Sequence, residues 1–188
     1  MVVALGIIGG IVALLIIAFI IIYNGLVRRR NQVKNAWAQI DVQLKRRYDL
    51  IPNLVETVKG YKIHERETME EVTKARNLAQ QLSGGSVGAR SKAETELSSA
   101  LARLLVVVEN YPDLKANQNF LALQEELAST ENKISFSRQF YNDSVLRLNN
   151  QTQMFPSNMV ASMTGFRTEE FFEVTVTEER KAPKVSFA

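Results

Sequence analysis

From Val2 to Val27 the chain carries no Asp, Glu, Lys or Arg, so every side-chain charge of this 188-residue protein lies in residues 28–188. The stretch from Val2 to Tyr23 supplies about 20 consecutive apolar residues, the number a helix needs to cross a hydrocarbon layer of roughly 30 Å. A simple soluble monomer is therefore excluded. A cleavable signal peptide would need a basic leader, a shorter apolar run and a small-residue cleavage site. None precedes Arg28, and an uncleaved anchor is expected over residues 1–27. Tyr23 stands where an interfacial aromatic would, and Arg28, Arg29 and Arg30 follow at once. The positive-inside rule then places the N-terminus outside and residues 28–188 in the cytoplasm.

The charge is unevenly spread. Residues 28–47 hold seven basic side chains against Asp41 alone, or +6, whereas residues 48–188 sum to −3. The basic excess behind a pI near 9.2 is thus juxtamembrane, where Arg28, Arg29, Arg30 and Lys34 can meet anionic lipid head groups at about 1 kcal/mol each. That placement favours membrane lipids over nucleic acid as the partner of the basic residues.

Beyond the apolar run the pattern is helical. Val33, Trp37, Ile40, Leu44, Tyr48, Ile51, Val55 and Val58 recur at alternating steps of four and three, the mark of a helix with one buried seam. Pro52 interrupts the backbone ladder without shifting that register, which predicts a kink. Gly60 marks a possible turn before a second helical segment with Met69, Val72, Ala75, Ala79 and Leu82. Residues 83–90 have loop composition, and Ser91-Lys92-Ala93-Glu94 has the spacing of a capping box at the start of a third helix. That helix, with Leu97, Leu101, Leu104 and Val108, should stop before Pro112. A fourth runs from near Asn117 to Pro156 along Phe120, Leu123, Leu127, Thr130, Ile134, Tyr141 and Leu148, and carries its seam on to Phe155.

Long, short, short and long helices with brief connections predict an all-α protein: an N-terminal transmembrane helix, then an up-and-down four-helix bundle with long first and last helices. The expected domains are the anchor (1–27), the bundle (28–155) and a C-terminal tail (156–188), membrane-proximal or extended. One very long hairpin, 28–82 against 92–155, is the competing layout. In the bundle layout the last helix returns the chain towards the membrane and brings Phe155, Met159, Val160, Met163, Phe166, Phe171 and Phe172 near the bilayer surface. Phe171–Val176 alternates enough for a short strand or an extended tail.

Chemistry-bearing patterns are sparse. No cysteine is present, which removes disulfides, thiolate metal sites and a cysteine nucleophile, and His64 is the only imidazole. His64-Glu65-Arg66-Glu67 has neither the paired histidines of a zinc protease nor a Glu-x-x-His of a di-iron bundle, and reads as a solvated turn or helix start. Gly84-Gly85 lacks the Lys and Ser/Thr of a phosphate loop. No catalytic residue, metal or cofactor is expected. Arg46, Arg47, Asp49 and Asn53 on the first helix could meet Glu126, Glu131, Asn132, Arg138 and Asn142 on the fourth. Such a polar network would fix helix register, and removing the Asp49 or Asn53 side chain would then lower bundle stability.

Tyr23-Asn24-Gly25-Leu26-Val27, Ala36-Trp37-Ala38-Gln39-Ile40-Asp41, Arg46-Arg47-Tyr48-Asp49-Leu50-Ile51-Pro52-Asn53-Leu54-Val55, Glu109-Asn110-Tyr111-Pro112-Asp113-Leu114-Lys115, Thr130-Glu131-Asn132-Lys133-Ile134, Phe155-Pro156-Ser157-Asn158 and Pro183-Lys184-Val185-Ser186-Phe187 together resemble the LemA family of bacterial single-pass membrane proteins. The resemblance covers nearly the whole chain. It implies one membrane helix in the bacterial cell membrane and a helical bundle, and no catalytic activity or cofactor. Association of such proteins with membrane-bound zinc metalloproteases and with membrane organisation implies a scaffold or accessory role with a membrane-protein partner, and leaves homo-oligomers open. A lipid-surface-binding or membrane-shaping protein is the alternative reading, and an uncharacterised enzyme the second.

Overall fold

The computed structural model describes residues 1–61 and 65–173. Six α-helices follow one another among them: α1 (Val2–Gly60), α2 (Arg66–Gln81), α3 (Val87–Val108), α4 (Pro112–Lys115), α5 (Gln118–Gln153) and α6 (Ser157–Thr164). They contain no strand. The all-α reading therefore holds, with the apolar run and the first seam joined in one uninterrupted helix. Phe171–Glu173 are irregular. His64 and residues 174–176 of the expected strand lie outside the described residues.

The chain divides into two compact units. The first comprises Met1–Gln39 and Ser137–Glu170; the second comprises Ile40–Phe136 with Phe171, Phe172 and Glu173. In the second unit the segment of α1 after Ile40, α2, α3 and the first half of α5 form the bundle. Its core contains Leu44, Leu54, Val58, Val72, Leu97, Leu104 and Phe120, all buried. Alternate directions follow from the contacts. Arg76 on α2 reaches Tyr48 on α1, Arg103 on α3 pairs with Glu71 on α2, and Ser98 on α3 meets the same Arg47 nitrogen as Glu131 on α5. The chain thus turns after Gly60, and the single long hairpin is excluded.

α1 continues as a helix through Pro52, and its neighbour explains how. Proline has no N–H for the carbonyl four residues back, which is that of Tyr48. The Arg76 guanidinium on α2 donates to that oxygen at 3.2 Å. A donor from the adjacent helix replaces the one the sequence removed.

The expected capping box is corrected. α3 begins four residues earlier than Ser91, with Ser86 as the N-cap accepting from the Ala89 amide at 3.3 Å. Ser91 and Glu94 are buried inside the helix; Ser91 donates instead to the Glu173 carbonyl. α3 ends at Val108 and the chain makes a further turn, α4, with Pro112 at its start and Leu114 wholly buried. Asn117 then caps α5, its Oδ1 accepting from the amides of Asn119 and Phe120 at 2.9 and 3.0 Å.

In the first unit α5 runs antiparallel to α1. Tyr141 packs on Trp37, ring centroids 5.2 Å apart, and further along Gln151 closes on Gly25, where an added Cβ would come within 2.8 Å of its amide nitrogen. Trp37, placed by the periodicity in the core, is half-buried against Tyr141, while its neighbour Ala36 is fully buried. Phe155, which the periodicity placed on the seam of the fourth helix, is exposed instead, because α5 ends at Gln153. α6 follows, closed by Gly165 in the left-handed region at φ 75°, which glycine adopts without a Cβ clash.

Candidate functional site: a buried charge network beside an apolar groove

The seam of α1 contains one long cation. Arg47 falls beside Leu44, Tyr48 and Ile51, and the bundle closes over it until its side chain is 2% exposed. A charge taken out of water must be paired and hydrogen-bonded to be tolerated. Arg47 meets Glu94 of α3 through one terminal nitrogen. Through the other it reaches Glu131 of α5 at 2.7 Å and the Ser98 hydroxyl at 3.0 Å. The second oxygen of Glu94, itself 4% exposed, accepts from the Tyr48 hydroxyl. One turn towards the start of α3, the buried Arg90 pairs with Asp41 of α1 and donates to the Ser83 carbonyl at 3.1 Å.

Burial raises the Tyr48 pKa well above the ordinary phenol value, and the negative charge and hydrogen bond of Glu94 push it further the same way. Tyr48 therefore stays a protonated donor at neutral pH, not a base or nucleophile. Glu94 has both oxygens engaged. The arrangement ties α1, α3 and α5 at one level of the bundle, which is what fixes helix register.

Beside this network lies a groove of about 330 Å³ between α3 and α5, walled by Leu54, Leu101, Leu105 and Leu127 and edged by Arg47 and Glu131. Leu101 and Leu127 belong to the seams read from the sequence but are only half-buried, and they line this apolar trough.

The residues singled out by sequence are placed as follows. Glu131 enters the network through Arg47, and Arg46 pairs with Glu126 on the surface at 2.6 Å. Asp49, Asn53 and Asn132 are exposed, and Asn142 is half-buried in the first unit. Arg28, Arg30 and Lys34 are exposed and Arg29 partly covered; the Arg30 guanidinium sits 4.8 Å over the Phe166 ring. Sequence reasoning placed Arg47 opposite Glu131 but missed Glu94 and the Tyr48 hydroxyl as members of the set. The available signal was Arg47 standing one place from a core position and Glu94 three residues before Leu97 on the α3 seam, but the capping-box spacing gave Glu94 another explanation. Among the described residues no three His, Asp or Glu side chains are grouped to hold a metal ion.

Residues 2–21 of α1 are exposed throughout, and the most apolar 18-residue window of the helix has none of its residues covered by the rest of the chain. This helix is long and apolar enough to cross a membrane.

Comparison with known proteins agrees with the architecture. Protein LemA of Metamycoplasma hominis is 29% identical over 157 residues, 82% of this chain and 70% of that protein. Magnetosome protein MamQ 2 of Paramagnetospirillum magneticum is 24% identical over 175 residues, and Magnetosome protein MamQ of Magnetospirillum gryphiswaldense 24% identical over 174; this chain spans 64% of the length of each. The LemA family profile matches residues 36–187, and the chain belongs to the LemA family.

Proposed function

We propose that this protein is a non-enzymatic, membrane-anchored scaffold or accessory protein that presents a cytosolic helical bundle to other membrane proteins. The observation that carries the reading is the pairing of an uncovered apolar helix with a bundle whose buried ionisable groups are consumed in helix-to-helix contacts. An uncovered helix of that length is stable only with hydrocarbon around it. Engaged carboxylates and a protonated tyrosine leave this cluster a structural role. Family membership supports the same reading, as do the names of the relatives, none of which denotes an enzyme. The partner proposed is an integral membrane protein of the membrane zinc metalloprotease kind, and self-association is a further form of the same scaffold role.

The test is affinity purification of the full chain from detergent-solubilised membranes, with an unrelated single-span protein as control. Reproducible enrichment of a defined membrane protein or of a second copy is expected. Recovery identical to the control would overturn the scaffold reading. A lipid-surface role is the second reading, favoured by the exposed Phe155, Met159 and Met163 at the end of the first unit.

A further inference from the structure

Protein cover on α1 begins abruptly. Residues 1–21 are all exposed, Ile22 and Gly25 are partly covered, and Leu26 is the first fully buried side chain. The cover comes from the far end of the first unit: Gln151 of α5 against Gly25, and Phe166 just beyond α6, whose ring meets Tyr23 edge-on at 6.0 Å. Tyr23 in turn stacks on Phe19 at 6.4 Å. Phe19, Tyr23 and Phe166 thus form an aromatic cluster where the bare apolar helix enters protein, with Arg30 over the outer face of Phe166. Aromatic rings followed by arginines are the pattern of a membrane–water boundary.

α6 is held at this level and is itself two-faced. Val160 and Ala161 are buried against the unit, whereas Met159 and Met163, one turn apart on the helix, are 57% and 76% exposed. Phe155, in the turn that precedes α6, is 78% exposed, and Met154 before it is exposed as well. Four large apolar side chains in ten residues would be a liability on a water-facing corner, yet this corner adjoins the helix that needs hydrocarbon.

We infer that the α5–α6 corner is an interfacial foot: Phe155, Met159 and Met163 enter the lipid head-group and upper acyl region beside the point where α1 leaves the bilayer. The occupant of this face is phospholipid, because the corner lies in the chain between Gln151 and Phe166, which close on Gly25 and Tyr23 where the bare apolar surface of α1 ends, and Arg30 sits over the Phe166 ring there. Side chains in such a position insert about 5–10 Å below the surface. The foot deepens the lipid-surface reading above and rests on α1 being a membrane anchor. A second attachment point next to the anchor would set how far α1 can slide along the bilayer normal and would keep the first unit from swinging away from the surface.

The absence of cysteine makes the test direct. Phe155→Cys, Met159→Cys and Met163→Cys are introduced one at a time into the full chain, spin-labelled, and reconstituted into vesicles of mixed phosphatidylcholine and phosphatidylglycerol. Leu14→Cys serves as the hydrocarbon reference and Glu125→Cys as the aqueous one. Collision with oxygen and with a water-soluble nickel chelate is then compared. The expected result is that all three foot labels favour oxygen over nickel, as the Leu14 label does, though less strongly. If they read water while Leu14 reads hydrocarbon, the foot is overturned and the anchor stands. If Leu14 also reads water, the anchor reading fails and takes the foot with it. Labels shielded from both reagents would mean that protein covers this face, a second copy included, and would also overturn the proposal.

Discussion

Glu94 is the residue on which the bundle's polar interior turns. Its two oxygens accept from Arg47 and Tyr48, so Glu94→Ala leaves a buried guanidinium with only the half-exposed Glu131 as its carboxylate partner. Breaking a buried pair in this way costs about 3 kcal/mol, and thermal or denaturant unfolding of the full chain in detergent should show a loss of that order. Asp49→Ala and Asn53→Ala, by contrast, touch exposed positions and are expected to stay within about 0.5 kcal/mol. The buried polar contacts of α1 are made by Arg47 and Tyr48, whereas Asp49 and Asn53 face solvent.

The tyrosines give a pH signature. Burial, joined by the negative charges of Glu169 and Glu170, pushes Tyr141 up to about 12, and Tyr48 moves in the same direction. Both folded values lie above the ordinary 10.0, so the folded chain holds these protons more tightly than the unfolded one. Their contribution is fully present below pH 10 and is lost as pH rises through the folded values. Ultraviolet titration of tyrosinate should accordingly show two of the five tyrosines ionising late, at or together with alkaline unfolding. Tyr141→Phe and Tyr48→Phe should each remove one late-titrating group. If neither substitution removed a late-titrating group, the buried state of these phenols would be refuted.

At the scale of elements, the join between α1 and α2 can be tested through Pro52. Arg76 donates to the Tyr48 carbonyl that Pro52 leaves without its helical partner. Arg76→Met should therefore cost about 1 kcal/mol for the orphaned acceptor. In a Pro52→Ala background the new backbone N–H satisfies the same oxygen, so the cost of Arg76→Met should shrink. A double-mutant cycle measures that difference directly, and strict additivity would show that Arg76 does not serve this carbonyl. The helix ends show where local signals suffice. Asn117 caps α5 and Pro112 opens α4 as short-range chemistry requires. Ser91-x-x-Glu94 has equally good local credentials and fails, because burying both side chains in contacts with α1 and the 171–173 segment outweighs one capping interaction.

For the molecule as a whole, the two units hold different features. The first holds the membrane-competent helix and the basic residues Arg28, Arg29, Arg30 and Lys34; the second holds the charge network and the apolar groove. On the proposed orientation, with the N-terminus outside, a Glu125→Cys variant should resist a membrane-impermeant maleimide in intact cells and react after permeabilisation. Labelling in intact cells would reverse the topology.

The sequence by itself determined the class of this protein. A charge-free run of bilayer length has one stable solvent, and apolar residues at helical spacing need partner helices, so anchor, bundle and family could be read without coordinates. The tertiary structure decided what becomes of the polar residues that interrupt those seams. Periodicity places Arg47, Glu94, Tyr48 and Arg76 on faces but does not say which faces meet, and a charge one step from a seam can snorkel to water as easily as find a carboxylate. Only when α1, α2, α3 and α5 pack do Arg47 and Glu94 lose their water and have to pair. The same holds for Phe155: its spacing continued the α5 seam, but α5 ends at Gln153 and the turn into α6 leaves it exposed.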